Sequence, residues 1–318
     1  MFTVWATAVV YQYHFFDHMG YNTSIPFLPL STIGIAVSFY IGFKNNSSYD
    51  RFWEGRKIWG GIVNYSRTWA NQVMTFVGQR YAEGDYSPEQ IYAIKKELIY
   101  RHLAYINALR FQLRRPSSFS IKLTKKLDAL TPGTPERKNW NEEVQPFLDQ
   151  EEYCSHVQRA NPATQMIRKQ GQRLAELNDE FRLIEEFRYM SMMRSLEEFY
   201  NLQGKCERIK NTPFPRQYAF FSGVFVWIFV LLLPLGLVGE FAKMGHSFVW
   251  LTIPFSVLIS WIFRTMEVVG DSSEDPFDNM INDVPMTALC RTIEIDLRDM
   301  LGETTLPEKV QAVEGILM

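Results

Sequence analysis

Residues 34–43 read GIAVSFYIGF, and two interleaved rows run through them. Ile35, Phe39 and Phe43 recur at every fourth position and are bulky and apolar. Gly34, Ser38 and Gly42 recur at the same interval and are small. Residues four apart share nearly one face of an α-helix, so the spacing predicts a smooth stripe beside a bulky one. The stretch carries no charge, and the chain turns polar at once, at Lys44, Asn45 and Asn46. Small stripes let membrane helices approach closely. A bulky apolar stripe beside a close-packing one either faces a shared axis, as a pore constriction, or forms ordinary core or lipid-facing surface.

Working outward, apolar residues gather in four blocks without Asp, Glu, Lys or Arg: 1–16, 18–43, 217–239 and 244–263. A membrane span needs about 20 mostly apolar residues. The last two blocks meet that in full and the second meets it with a polar start. The first is too short alone and reads as an incomplete first span, begun partway along a helix. It has neither the basic start nor the cleavage site of a signal peptide. The formal net charge of the 318 residues is −2, which gives no sign of a nucleic-acid partner.

Basic residues set the orientation. Lys44, Arg51, Arg56 and Lys57 follow the second block, Lys205, Arg208, Lys210 and Arg216 precede the third, and Arg264 follows the fourth. The two opposite turns hold Asp17, and Glu240 with Lys243. Basic loops stay on the cytoplasmic side. The reading is an all-α integral membrane protein of the cell (inner) membrane, with four spans and both termini cytoplasmic. Its divisions are 1–43, 44–216, 217–266 and 267–318: two membrane segments, a cytosolic helical region, two further membrane segments, and a cytosolic C-terminal segment.

The polar middle reads as helical. Ser87-Pro88-Glu89 has a capping hydroxyl, a first-turn proline and an acid, so a helix starts there and should stop near Arg115-Pro116. Residues 130–137, LTPGTPER, read as a loop. A second long helix is expected from Asn161-Pro162 to about Ile209, because Leu174, Leu177, Phe181, Ile184, Phe187, Met190, Met193 and Leu196 alternate spacings of three and four.

Three stretches, SFYIGFKNNSSYDRFWEGRKIWG (38–60), GKCERIKNTPFP (204–215) and EVVGDSSEDPFDNMINDVPMTALCRTIE (267–294), resemble the bacterial bestrophins in order and spacing. The resemblance runs from roughly Ser31 to Gly302. It implies a homopentameric ion channel that passes monovalent ions, mostly anions such as chloride, although some bacterial members pass cations. By resemblance, Ile35, Phe39 and Phe43 match the family's hydrophobic neck. Counting back from GKCERI, Met190 matches a second, cytosolic constriction, and a shift of one turn would move this to Phe187 or Arg194. Members of the family usually carry a further N-terminal segment and a complete first span. Three neck rings would stack about 6 Å apart and gate by dewetting. The rings hold no fixed charge with which to choose ion sign.

No cofactor is expected. Asp271, Glu274, Asp275, Asp278 and Asp283 invite a calcium reading, and animal bestrophins carry a calcium clasp after a similar Pro-Phe. An EF-hand start at Asp271 fails at Pro276 and Asn282, and the bland alternative is a turn that caps the next helix. Glu185-Glu186 and Glu197-Glu198 lack the Glu-x-x-His partners of a carboxylate-bridged metal site. Glu151, Glu152 and His156 form an isolated cluster, and Cys154, Cys206 and Cys290 make no Cys-x-x-Cys pair. Asn22-Thr23-Ser24 fits the glycosylation pattern, a match common by chance. No phosphate loop, nucleophile elbow or dinucleotide fingerprint appears, which argues against an enzyme. Two classes compete: an oligomeric ion channel, and a membrane-anchored helical scaffold or sensor. The expected partners are further copies of the chain, the bilayer and monovalent ions.

Overall fold

A computed structural model describes residues 1–82, 84–115, 140–212, 214–280, 282–312 and 317. The expected loop at 130–137 and the stop at Pro116 lie outside these. The described residues form ten α-helices, and no strand occurs among them. The helices are α1 (Phe2–Asp17), α2 (Phe27–Phe76), α3 (Pro88–Leu113), α4 (Trp140–Glu143), α5 (Gln150–Val157), α6 (Pro162–Asp179), α7 (Glu186–Asn211), α8 (Arg216–Met244), α9 (Thr252–Ser272) and α10 (Met286–Met300).

The chain divides into two compact units. The first comprises Met1–Arg51 and Pro213–Glu274, which gives it α1, the first half of α2, α8 and α9. Among the described residues three helices are long and apolar enough to cross a membrane: α2, Gln217–Met244 within α8, and His246–Ser272, which is α9 with the 3-10 turn before it. α1 has 16 residues, about 24 Å at 1.5 Å each, against a hydrocarbon core of about 30 Å. Leu30, Val37 and Ile41 of α2 pack with Val226, Phe229, Val230 and Leu233 of α8. The indole of Trp5 on α1 donates to the Leu231 carbonyl at 3.0 Å, so the amphipathic ring keeps its polar atom satisfied.

The second unit comprises Phe52–Thr212 and Asp275–Met318. Its core is built on the fully buried Trp59 and Trp69 of α2, with Leu98, Ile99 and Leu103 of α3 and Phe199 of α7. α3 starts as its sequence predicts. The Ser87 hydroxyl accepts from the Gln90 amide while the Gln90 side chain accepts from the Ser87 amide, a reciprocal cap worth about 1 kcal/mol.

The single helix expected over 161–209 is two, because α6 ends at Asp179 and α7 begins at Glu186. Arg182 takes a left-handed conformation (φ +52°), and the amides of Phe181 and Leu183 turn back to the carbonyls of Glu176 and Leu177. These bonds satisfy carbonyls at the end of α6. Leu183 and Ile184 bury themselves in the turn, and the Glu185 carboxylate accepts from the Arg188 amide to start α7. Phe181, Ile184 and Phe187 keep helical spacing across a stretch that is not helical throughout.

The buried Arg101 is paired. Arg101 of α3 donates to both oxygens of Glu152, through Nε at 2.5 Å and Nη2 at 2.8 Å, and also to Glu97 and Gln170. Burial pushes the Glu152 carboxyl up, and the hydrogen bonds and charge of Arg101, with His156 3.5 Å away, outweigh it, holding the group down at about 2. His102 is fully buried against the Ser66 hydroxyl at 2.8 Å, and burial drives its pKa down to about 3, so the ring is neutral.

Candidate functional site

α2 presents the two rows to different surroundings. Ile35, Phe39 and Phe43 are 67%, 82% and 62% exposed on the single chain. Their neighbours on the same helix, Val37 and Ile41, are buried against α8. The helix therefore spends one apolar face on its own core and holds out a second. Exposed large apolar side chains in a contiguous row mark a surface meant for lipid, another subunit or a path.

The small row divides. Gly34 is buried, and a β-carbon there would stand 2.8 Å from the Phe229 ring of α8, closer than carbon atoms approach. Phe229 is itself buried and held on Phe263, ring centroids 4.6 Å apart. Gly42 has nothing within 4 Å of that position, and the Ser38 hydroxyl donates back to the Gly34 carbonyl at 2.8 Å. Only Gly34 thus serves close packing within the chain. Gly34→Ala should destabilise the protein by about 1–3 kcal/mol, as overpacking does, while Gly42→Ala adds no clash within the chain and should cost less. Thermal unfolding of both variants in the same detergent checks this, and equal melting temperatures would refute it.

Aromatic rings back the last residue of the bulky row. Phe43 lies 6.3 Å from the ring of Tyr218, which stacks on Tyr40 at 5.7 Å and 19°. Tyr40 meets Phe225 edge-on at 5.4 Å. Sequence reading missed Tyr40 and Tyr218, whose partners lie more than 170 positions apart in the chain.

The next residue, Lys44, turns away from the row. It is fully buried and pairs with Asp271 of α9. Asn45 donates to the Met266 carbonyl at 2.9 Å, and its side chain occupies the space a β-carbon on Gly270 would need. α2 and α9 are thereby joined where the apolar row ends. The buried cation beside Phe43 is neutralised, so it adds no bare charge to the apolar face.

Two carboxylates of the acidic stretch are paired with lysines. Asp271 is taken by Lys44, and Asp278 by Lys210. Asp283 accepts from the Met280 amide at 2.9 Å, and burial pushes its carboxyl up to about 7. Among the described residues no three of His, Cys, Asp or Glu gather as metal ligands. Of the other carboxylates, Glu185 caps α7, Glu198 accepts from Asn201, and Glu152 serves Arg101. Cys206 and Cys290 are buried and Cys154 is exposed, all as free thiols.

In the second unit, Met190 and Phe187 both lie on α7, whose helix runs unbroken back from Gly204 to both. Phe187 is 82% exposed and Met190 51%. Phe39 and Phe187 are thus the two most exposed large apolar side chains among the described residues.

The model of the Bacterial/Fungal Bestrophin protein family matches residues 1–299. The chain belongs to the bestrophins. A voltage-dependent anion channel-forming protein of Ralstonia nicotianae is 30% identical over 289 residues, covering 91% of this chain and 82% of that one. The voltage-dependent anion channel-forming protein YneE of Escherichia coli O157:H7 is 27% identical over 96% of this chain and 86% of its own. The crystal structure of a bacterial bestrophin homolog from Klebsiella pneumoniae superposes with a TM-score of 0.77 at 24% identity, covering 96% of this chain and 97% of that one. The bestrophin fold accounts for the helical architecture found here.

Proposed function

We propose that this bestrophin assembles as a symmetric homopentamer in the inner membrane and conducts small monovalent anions through a neck made by Ile35, Phe39 and Phe43. The observation that carries the reading is the exposed bulky row on a helix apolar enough to span a bilayer. Lipid would accept such a row too, and the channel-forming names of the curated relatives favour a path. The names of the curated relatives supply the ion sign. The first turn of α7 supplies a second, cytosolic restriction, with Phe187 its most projecting side chain and Met190 one turn further on. The exposed Ser38 and Gly42 let neighbouring copies of α2 approach. Both termini and residues 44–216 lie on the cytoplasmic side, following the basic flanks.

Purified protein in planar bilayers under a potassium chloride gradient tests the whole reading. The expected reversal potential lies near the chloride equilibrium value. A value near that of potassium overturns the anion assignment. A pentamer with no flux in any salt favours the scaffold.

A further inference from the structure

In the second unit, one face of α6 is basic and unpartnered among the described residues. Gln165, Arg168, Lys169 and Gln172 stand at i, i+3, i+4 and i+7, so they share one side of the helix. Ser155 and His156 of α5, with Arg159 of the turn after it, complete a cavity of about 160 Å³. That is room for roughly five waters at about 30 Å³ each, enough for a tetrahedral oxyanion and part of its hydration.

The lining contains no acid. Arg159, Arg168 and Lys169 make no ion pair among the described residues, and Arg168 reaches only the Gln165 side chain, at 3.4 Å. A few positions along the same helix, Arg173 behaves differently, pairing with Glu97 and Glu176. An ordinary solvated helix face intersperses both signs, and this one does not. His156 is 8% exposed and its Nε2 has no hydrogen-bond partner. It sits 3.5 Å from Glu152, whose two oxygens are already engaged by Arg101. The Ser155 hydroxyl is spent on the Glu152 carbonyl, so donation falls to the cations and the two glutamine amides. Guanidinium forks match the oxygens of phosphate in pairs, which a spherical monovalent anion cannot use.

We propose that the cleft between α5 and α6 binds a phosphate group, held by Arg159, Arg168 and Lys169 with His156 in its wall. The group is carried by a small soluble phosphate or by a lipid headgroup. The site is independent of ion conduction and stands whether or not the neck conducts.

Calorimetry on the full chain in neutral-lipid nanodiscs, titrated with inorganic pyrophosphate at fixed ionic strength, tests it. Saturable binding at one site per chain is expected, tighter than for sulfate. Arg168→Gln with Lys169→Gln should weaken it about tenfold or more, with the melting temperature unchanged and Lys309→Gln binding as wild type. A second arm measures cosedimentation with vesicles of phosphatidylcholine with and without phosphatidic acid. Loss in the double variant of pyrophosphate binding alone assigns a soluble ligand, and loss of vesicle binding as well assigns the headgroup. Wild-type binding by the double variant in both arms overturns the site, as does pyrophosphate binding no tighter than sulfate together with no preference for phosphatidic acid.

Discussion

Truncating Phe39 to Ala should raise ion flux through the assembled protein about tenfold or more, and truncating Phe43 as well should raise it further. The argument begins with burial. Phe39 is 82% exposed, so its loss takes little from the fold of the chain. In a ring it is repeated by every subunit, and a narrow apolar constriction stays dry until it is widened or made polar. Each phenyl removed opens the path and shortens the dry segment. Phe43 differs, because it leans on Tyr218. Phe43→Ala should therefore widen the ring and also free the Tyr40–Tyr218 stack. Phe229→Ala is the contrasting variant. Phe229 is buried behind the row against Gly34, so its loss should cost about 3–5 kcal/mol and lower the melting temperature, with little change in conductance per open channel. Single-channel recordings of the three variants separate these outcomes. Unchanged gating in both Phe39→Ala and Phe43→Ala would assign the row to lipid instead.

Much of this was legible in the residues because it is local. The period-four rows, the Ser87 cap and the charge-free blocks each need only a short window of sequence. What was not legible depends on partners far along the chain or on backbone geometry. Hydropathy places a boundary after Phe43, yet α2 continues to Phe76, since a helix ends where its hydrogen bonds end and not where its side chains turn polar. The break between Asp179 and Glu186 has no Gly or Pro to announce it. Its cause is a left-handed Arg182, which the apolar spacing on either side conceals. The small row looked uniform, and only the buried ring of Phe229 distinguishes Gly34 from Gly42. Lys44 reads as a cytoplasmic flank, and its pairing with Asp271, 227 positions away, ties α2 to α9 just past the bulky row. In the acidic stretch the carboxylates are visible in sequence, but not the lysines that pair with Asp271 and Asp278.

The second large effect concerns the buried ion pair that ties α5 to α3. Glu152→Gln should destabilise the protein by about 3–5 kcal/mol, because it leaves the Arg101 guanidinium buried without its main counter-charge. Arg101 is 4% exposed and its remaining acceptors, Glu97 and Gln170, lie on other nitrogens or share Nη2. Replacing both residues by Met and Leu should cost less than either single change, since a well-packed apolar pair carries no orphaned charge. The pH dependence has a definite sign. Glu152 is held at about 2, against an ordinary 4.5. A carboxyl depressed on folding contributes its full stabilisation above its unfolded pKa and loses it as pH falls through the folded one. Wild-type melting temperature should therefore fall between about pH 4.5 and pH 2, with Glu152 contributing to the slope. The Glu152→Gln variant should start lower and lose less over that interval. Thermal unfolding at pH 7, 4 and 3 decides it, and parallel curves for the two proteins would show that the pair contributes nothing to acid stability.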